Sequence, residues 1–394
     1  MSDYDVVIAG GGVGGGACAL ALATQYPLRV LVLEQHEGAG NLNRGDNLLP
    51  TVTRHLLDWG VVDRLRTAGA RDLARMQVFG PQGKLLDVPL RAPDDPPYLV
   101  LSHPEIEKTL INAALDTGNV DVHYRSRLTG LMRDGDRVCG ALVANGGREE
   151  QITARLVIGA DGVNSETRKA LGIELPKIPY DHGYFGIALE RPDSYEDAMR
   201  VELSPQGGVL VVPRLEPGLV GLGVLVRTDQ ETLFRSGTLD EKVDAIRQRS
   251  HLFAGCRAFA KGAHLYRLGR GHAQKYIGSG AALIGDAVHL TNPVAGQGMT
   301  MAIEDAAAIA DHVGPVLSGG DAIQNLGHAL AKYEAERKPK NASTLRWSHC
   351  LSHAYAYPGR HADWIRRHAF SMAETKVGRK VHAAIYGRLA RRLA

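Results

Sequence analysis

The chain has 394 residues, 44% hydrophobic and 23% charged, the balance of an ordinary globular protein long enough for two lobes. A net charge of +3 is too small to indicate a nucleic-acid partner. Cys18, Cys139, Cys256 and Cys350 form no CxxC or metal-like spacing, and no apolar run has the length of a membrane span or a leader, so a cytoplasmic protein with reduced thiols and no metal is expected.

In chain order, Val6–Ala9 is a short continuous apolar run, as expected of a strand buried on both faces. A glycine cluster follows, and Ala17–Thr24 predicts an alanine-rich helix. Arg29–Leu33 is a second buried strand ending on Glu34. Thr51–Leu57 and Pro104–Leu115 are predicted helices, with Pro104 in the first turn. Met76–Phe79 and Lys84–Val88 are short strands around Gly-containing turns, and Leu156–Ile158 resumes the buried type. Tyr184–Leu189, Met199–Leu203, Val209–Val212 and Leu219–Val226 alternate with turns and predict an inserted antiparallel sheet. Ala281–Ile284 returns to the first lobe, Gln297–Val313 predicts a long helix, and from about Ala322 the chain is mainly helical. The expected fold is α/β, with a Rossmann-like nucleotide-binding domain (1–75, 100–175 and 276–335), an inserted antiparallel β-sheet substrate domain (76–99 and 176–275) and C-terminal helices (336–394).

Gly10-Gly11-Gly12-Val13-Gly14-Gly15 satisfies GxGxxG between a strand and a helix. Its glycines allow a tight turn, close approach of a diphosphate and packing of helix on strand, with the anion at a helix N-terminus. Glu34 lies close to the spacing of a ribose-binding acid, and Gln35 follows it. The fingerprint indicates a dinucleotide without saying which one.

Two later motifs bear on that choice. Val157–Ser165 carries the GADGxxS pattern, followed by Arg168. Ala281–Ala287 leads through Gly285-Asp286 to Pro293, Gly296-Gln297-Gly298 and Met299, then a helix with Glu304-Asp305. Together these resemble the class A flavoprotein monooxygenases, the para-hydroxybenzoate hydroxylase family, over roughly residues 4 to 340. The resemblance implies a Rossmann-like FAD-binding domain. It places Asp286 at the ribityl chain, Asp161 by the pyrophosphate, Arg44 toward the flavin and the Leu128 backbone at the adenine. Independently of the family, Gly296 and Gly298 let the backbone approach a planar ring, and the following helix points a positive dipole end there.

Two positions depart from the family pattern: His103 stands where Arg or Gln is usual, and Gly296–Thr300 ends in a hydroxyl where the family has an amide. Asp46–Pro50, Pro205–Gly208 and the non-arginine at 103 also resemble the arylamine-hydroxylating enzyme of alkylquinolone N-oxide pathways. The resemblance implies hydroxylation of an aromatic or other electron-rich small molecule by O2 through a flavin C4a-hydroperoxide, in secondary metabolism. NAD(P)H visits transiently and reduces the flavin slowly, or a partner supplies reduced flavin. The alternatives are an FAD-dependent dehydrogenase or reductase without oxygen insertion, and a flavin-binding protein with no turnover. His289, Tyr184 and Arg214 are candidates for catalytic contact with substrate, and Tyr98 for the pocket wall; a structural histidine and a core tyrosine are the competing readings.

From Arg360 onward nine Lys/Arg face only Asp363 and Glu374, while Val377, Val381, Ile385, Leu389 and Leu393 recur every four residues. This is a basic amphipathic helix, docked on the first lobe or touching an anionic membrane surface or acidic carrier protein.

Overall fold

A computed structural model describes residues 2–38, 47–213, 218–319 and 323–356, apart from the side chains of 258–262, 323–324 and 354. The fold is mixed α/β. Tyr4–Ala9 lies parallel between Val30–Leu33 and Arg148–Gly159, with Ile8 opposite both Val32 and Ile158. Val120–His123 extends the sheet on one side, and Ala281–Leu283 with Ile277–Gly278 on the other.

The apolar runs are continuous because both faces of this sheet are covered. Val6, Ile8, Val30 and Val32 pack on the helices Val13–Gln25, His103–Leu115 and Gln297–Ser318. Their neighbours Val7, Ala9, Leu31 and Leu33 pack instead on the antiparallel strands Ser126–Asp134 and Arg137–Asn145.

The second sheet is built around Lys177–Glu190, which pairs antiparallel with Leu219–Arg227 and with Ala258–His272. The order continues through Val209–Pro213, Met199–Glu202, Arg75–Gly80 and Gly83–Pro89, and the short strand His289–Leu290 joins the opposite edge. One pair differs from the antiparallel expectation: Met199–Glu202 and Arg75–Gly80 run parallel. They come from distant segments with no hairpin to set their direction.

Helices Glu231–Ser236 and Leu239–Arg247, absent from the sequence-based prediction, cover one face of this sheet. Phe234, Val243, Ile246 and Phe253 pack there on Phe185, Ile187, Val209 and Val224. The second of these helices begins with a capping box, Thr238 and Glu241, a local signal readable in Thr-Leu-Asp-Glu.

A single helix, Ile323–Ala356, packs on Gln297–Ser318 and reaches the second sheet, where the Gly208 N–H donates to the Tyr355 carbonyl at 3.1 Å. No helix among the described residues is long and apolar enough to cross a membrane. The basic stripe from Val377 to Leu393 lies outside the described residues. The four cysteines are free, and burial pushes the Cys18 thiol well above its ordinary range.

Candidate functional site

The strand Tyr4–Ala9 delivers the chain to Gly10, whose φ of +102° suits glycine. A side chain at Gly10 would collide with the Ala160 carbonyl, and one at Gly15 with the Gly10 carbonyl oxygen. Gly14 packs against Ala302 and Ile284, and Val13 is buried. Gly12 is different: the nearest atom to a Cβ there would be Glu107 Oε1, at 3.4 Å. Helix Val13–Gln25 starts at Gly12 with no side-chain cap and no acidic residue in its first turn. Its first amides and positive dipole end are thus left for an anion.

Glu34 closes this end of the site. Its carboxylate accepts hydrogen bonds from the Gly11 and His36 amides, both at 2.8 Å, which fixes it beside the turn. Gln35 is exposed, with its Nε2 3.2 Å from His36 Nε2. Leu128 is buried beneath Val7, Leu31 and Leu33. Asp161 accepts from the Ser165 hydroxyl at 2.5 Å and from the Thr167 amide and hydroxyl at 2.9 Å. Both of its oxygens therefore brace the turn that presses the Ala160 carbonyl on Gly10.

At the same end of the sheet, one strand beyond Arg148–Gly159, Ala281–Leu283 runs into the turn Gly285–Ala287. The half-buried Asp286 carboxylate makes no hydrogen bond among the described residues. The turn itself is held from below, since the Gly285 amide donates to Asp305 Oδ2 at 3.1 Å. Asp305 is fully buried and also accepts from Arg337 Nε at 2.8 Å and Asn341 Nδ2 at 2.9 Å. Burial alone would raise this carboxyl, but His289 and Arg337 hold it down at about 2. Glu304, also bonded to Arg337, is raised because its burial, with the nearby Asp305 charge, outweighs Arg337 and Lys340.

His289 is fully buried with Nε2 2.8 Å from Asp305 Oδ2, so the structure assigns it to this scaffold, away from any open surface. Tyr98 is likewise a core residue, between Leu73 and Val100. Arg44 and Arg214 lie outside the described residues.

Pro293–Ala295 forms the next turn and Gly296, at φ +62°, starts helix Gln297–Ser318. That helix too has no side-chain cap and no acid in its first turn, and Gly298 leaves its approach open. Asn292 accepts the Val294 amide at 3.1 Å, and its carbonyl accepts the Ser348 hydroxyl at 3.2 Å, so the long C-terminal helix pins this turn. Half-buried Met299 packs on the first-lobe core. Asn47 faces Gly296, its Nδ2 3.7 Å from where a Cβ would sit.

A cradle of this kind fits FAD. Two uncapped helix starts could offer amides to a diphosphate and a flavin, and Glu34 and Asp286 could accept from sugar and ribityl hydroxyls. Asn47 Oδ1, His103 Nδ1 and Thr300 Oγ1 are buried without partners among the described residues, a pattern that a polar ligand would satisfy.

Against this end lies a cavity lined by Tyr184, Leu210, Gly223 and Leu225 from the uncovered face of the second sheet. Val294 of the Pro293–Ala295 turn and Tyr355 of the C-terminal helix complete it. The Tyr184 ring folds flat over Gly223, which has no side chain to displace it. Glu107, Arg337, Asn341 and Tyr355 sit in no local motif and are not legible in the sequence, and Asn47 is legible only as part of Asp46–Pro50. Glu304-Asp305 was noted, but its partner is distant in the chain.

The family model described as an FAD binding domain matches residues 3–348. Ubiquinone hydroxylase UbiL of Rhodospirillum rubrum is 29% identical, covering 86% of this chain and 79% of that protein. The human mitochondrial ubiquinone biosynthesis monooxygenase COQ6 is 26% identical, covering 90% and 86%. Among solved structures, Pseudomonas aeruginosa PqsL in complex with 2-aminobenzoylacetate superposes with a TM-score of 0.80 at 24% identity, covering 93% of this chain and 99% of that one.

Proposed function

This chain belongs to the FAD binding domain family, and from that premise we propose that it is an FAD-dependent monooxygenase of an apolar aromatic small molecule, a phenol, quinolone or arylamine of secondary metabolism. The observation that carries this reading is the placement of the cavity. The cavity is small, with room for about one water. Val294 belongs both to its wall and to the turn that leads into the Gly296 helix start, so a substrate that widened it by displacing Tyr184 or Tyr355 would lie against the flavin end of the cradle. The hydroxylase names of the curated relatives support the same reaction class.

Bound FAD would supply oxygen activation and electron transfer. One oxygen atom enters the substrate in place of hydrogen and the other leaves as water. Two electrons come from NAD(P)H or from a reduced flavin delivered by a partner.

The chain's own residues bind and orient. Asp286 would hold the ribityl chain by accepting a hydrogen bond from one of its hydroxyls. The amides opening helix Gln297–Ser318 would stabilise negative charge that develops on the reduced flavin, a contribution of about 0.3–1 kcal/mol if exposed and more when buried. Tyr184 and Tyr355 would move to admit an aromatic substrate, and Leu210, Leu225 and Val294 would exclude water from it.

With 18O2 and a reductant, the purified flavoprotein is expected to place one heavy oxygen in a product from a panel of phenols, quinolones and arylamines, read by mass spectrometry. Oxidised product without label, accompanied by stoichiometric peroxide, would instead establish a dehydrogenase or oxidase.

The departures at His103 and Thr300 concern reduction. Direct bleaching of the flavin by NAD(P)H, followed in stopped flow, is expected to be slow and unresponsive to substrate. Rapid, saturable and substrate-stimulated bleaching would rule out slow direct reduction and the need for reduced flavin from a partner.

A further inference from the structure

We infer, on the FAD-binding reading, that His182 is a positioning residue, kept as a neutral imidazole whose Nε2 lone pair holds the Asn292 side chain and so the turn before the Gly296 helix start.

His182 lies on the strand Lys177–Glu190 with its side chain fully buried. Its Nε2 is 3.2 Å from Asn292 Nδ2, and its Nδ1 is 3.2 Å from Asp181 Oδ1. Asn292 is fully buried as well, and its Oδ1 accepts the Val294 amide at 3.1 Å. His182 and Asn292 are 110 positions apart in the chain, so this contact ties the second sheet to the turn Pro293–Ala295.

The partners fix the ring's proton. A backbone N–H only donates, so the Asn292 oxygen must face Val294 and its NH2 must face His182. An NH2 also only donates, which makes Nε2 the acceptor. The Asp181 carboxylate only accepts, so the single ring proton sits on Nδ1. A second proton, on Nε2, would set two donors against each other and release the amide. Turning the amide round would restore that contact only by giving up Val294.

Burial, the largest influence, holds His182 below the ordinary histidine range; His353 adds to this and Asp181 opposes it. The helix Ile323–Ala356 brings His349 and His353 beside Tyr180, the near neighbour of His182 on its own strand. On the paired strand Arg227 lies opposite His182 and bonds to Asp229. On the other flanking strand Arg270 acts on Tyr180 and His349, and Arg267 bonds to Glu231.

With His182 neutral the turn is held, so FAD affinity is level at neutral and higher pH. It falls in acid, by up to about tenfold per pH unit, as pH drops through the depressed His182 value.

Two measurements test this. In apoprotein carrying 15N-labelled histidine at about pH 7.5, NMR should show His182 neutral with its proton on Nδ1, the signal being assigned by its loss in His182→Gln. FAD titration by flavin fluorescence from about pH 8 to about pH 5 should show the loss of affinity in acid. His182→Gln, whose amide oxygen can accept from Asn292 in place of Nε2, should rescue binding and remove the acid loss. His182→Phe fills the ring's place without an acceptor and should bind about tenfold more weakly even near neutral pH. Asn292→Asp sets a second acceptor against Nε2, so its His182 should carry both protons at about pH 7.5. A proton on Nε2 in wild type, an acid loss undiminished in His182→Gln, or wild-type affinity in His182→Phe overturns the inference. So does a neutral His182 in Asn292→Asp, a reading that stands even where His182→Phe does not fold. An apoprotein that takes up no FAD at any pH overturns the cofactor assignment, while the His182 spectra still decide the contact with Asn292.

Discussion

Replacing Gly12 by alanine is expected to weaken FAD binding by about 100-fold, near 3 kcal/mol, while leaving the apoprotein folded. Gly12 sits at φ −66° and ψ −173°, a conformation open to any residue, so alanine introduces no backbone strain. Its Cβ would meet nothing closer than Glu107 Oε1 at 3.4 Å. Alanine is a poorer helix cap than glycine, but it also restricts the unfolded chain, and these effects of about 0.5–1 kcal/mol oppose one another. What the methyl group would occupy is the space that the proposed FAD site leaves for a diphosphate.

Gly15→Ala separates binding from folding. Its Cβ would strike the Gly10 carbonyl oxygen, so helix and strand must part, a cost of about 1–3 kcal/mol to the apoprotein itself. Thermal melts of both apoproteins, with flavin fluorescence titrations, check the pair. A Gly12→Ala protein that binds FAD like wild type, or melts as low as Gly15→Ala, would refute this account of the turn.

Arg337→Met should destabilise the fold by about 3–5 kcal/mol at neutral pH, since it removes the cation that Asp305 and Glu304 share and leaves Asp305 with His289 alone. Methionine fills similar apolar volume, so the loss is mainly electrostatic. In the wild type the depressed Asp305 carboxyl contributes stability that is present above its unfolded pKa of about 3.9 and is lost as pH falls toward about 2.

The variant should behave in the opposite sense. Without Arg337 both carboxyls titrate higher, Glu304 most of all because burial already raises it, so acidification neutralises them and the defect shrinks. Denaturant unfolding at about pH 8 and about pH 5.5 measures both values. A defect below about 1 kcal/mol, or one equal at the two pH values, would exclude this role. Because Asp305 also holds the Gly285 amide, the folded fraction should retain FAD less tightly, through a displaced Asp286.

Much of this was legible in the chain because the signals are local. A run such as Val30–Leu33 can only be a strand covered on both faces, and the structure shows helices on one face and a hairpin on the other. Strand, glycine turn, helix and a following acid are contiguous, so the nucleotide end could be read position by position.

Other features depend on pairs that no local pattern joins. Asp305 meets Arg337 and Asn341 only when helix Ile323–Ala356 lies across Gln297–Ser318. His289, a candidate for chemistry in the sequence, is buried by that meeting and becomes part of the support for Gly285.

The flavoprotein fold and the glycine turn were thus determined by the sequence itself, through apolar periodicity and the backbone freedom of Gly10. Tertiary structure decided the rest. The alternating faces of the second sheet are chemically alike, with Phe185 and Val224 on one and Tyr184 and Leu225 on the other. Helices Glu231–Ser236 and Leu239–Arg247 bury the first pair and leave the second to line the cavity. Which residues can meet a substrate therefore depends on which face those helices cover.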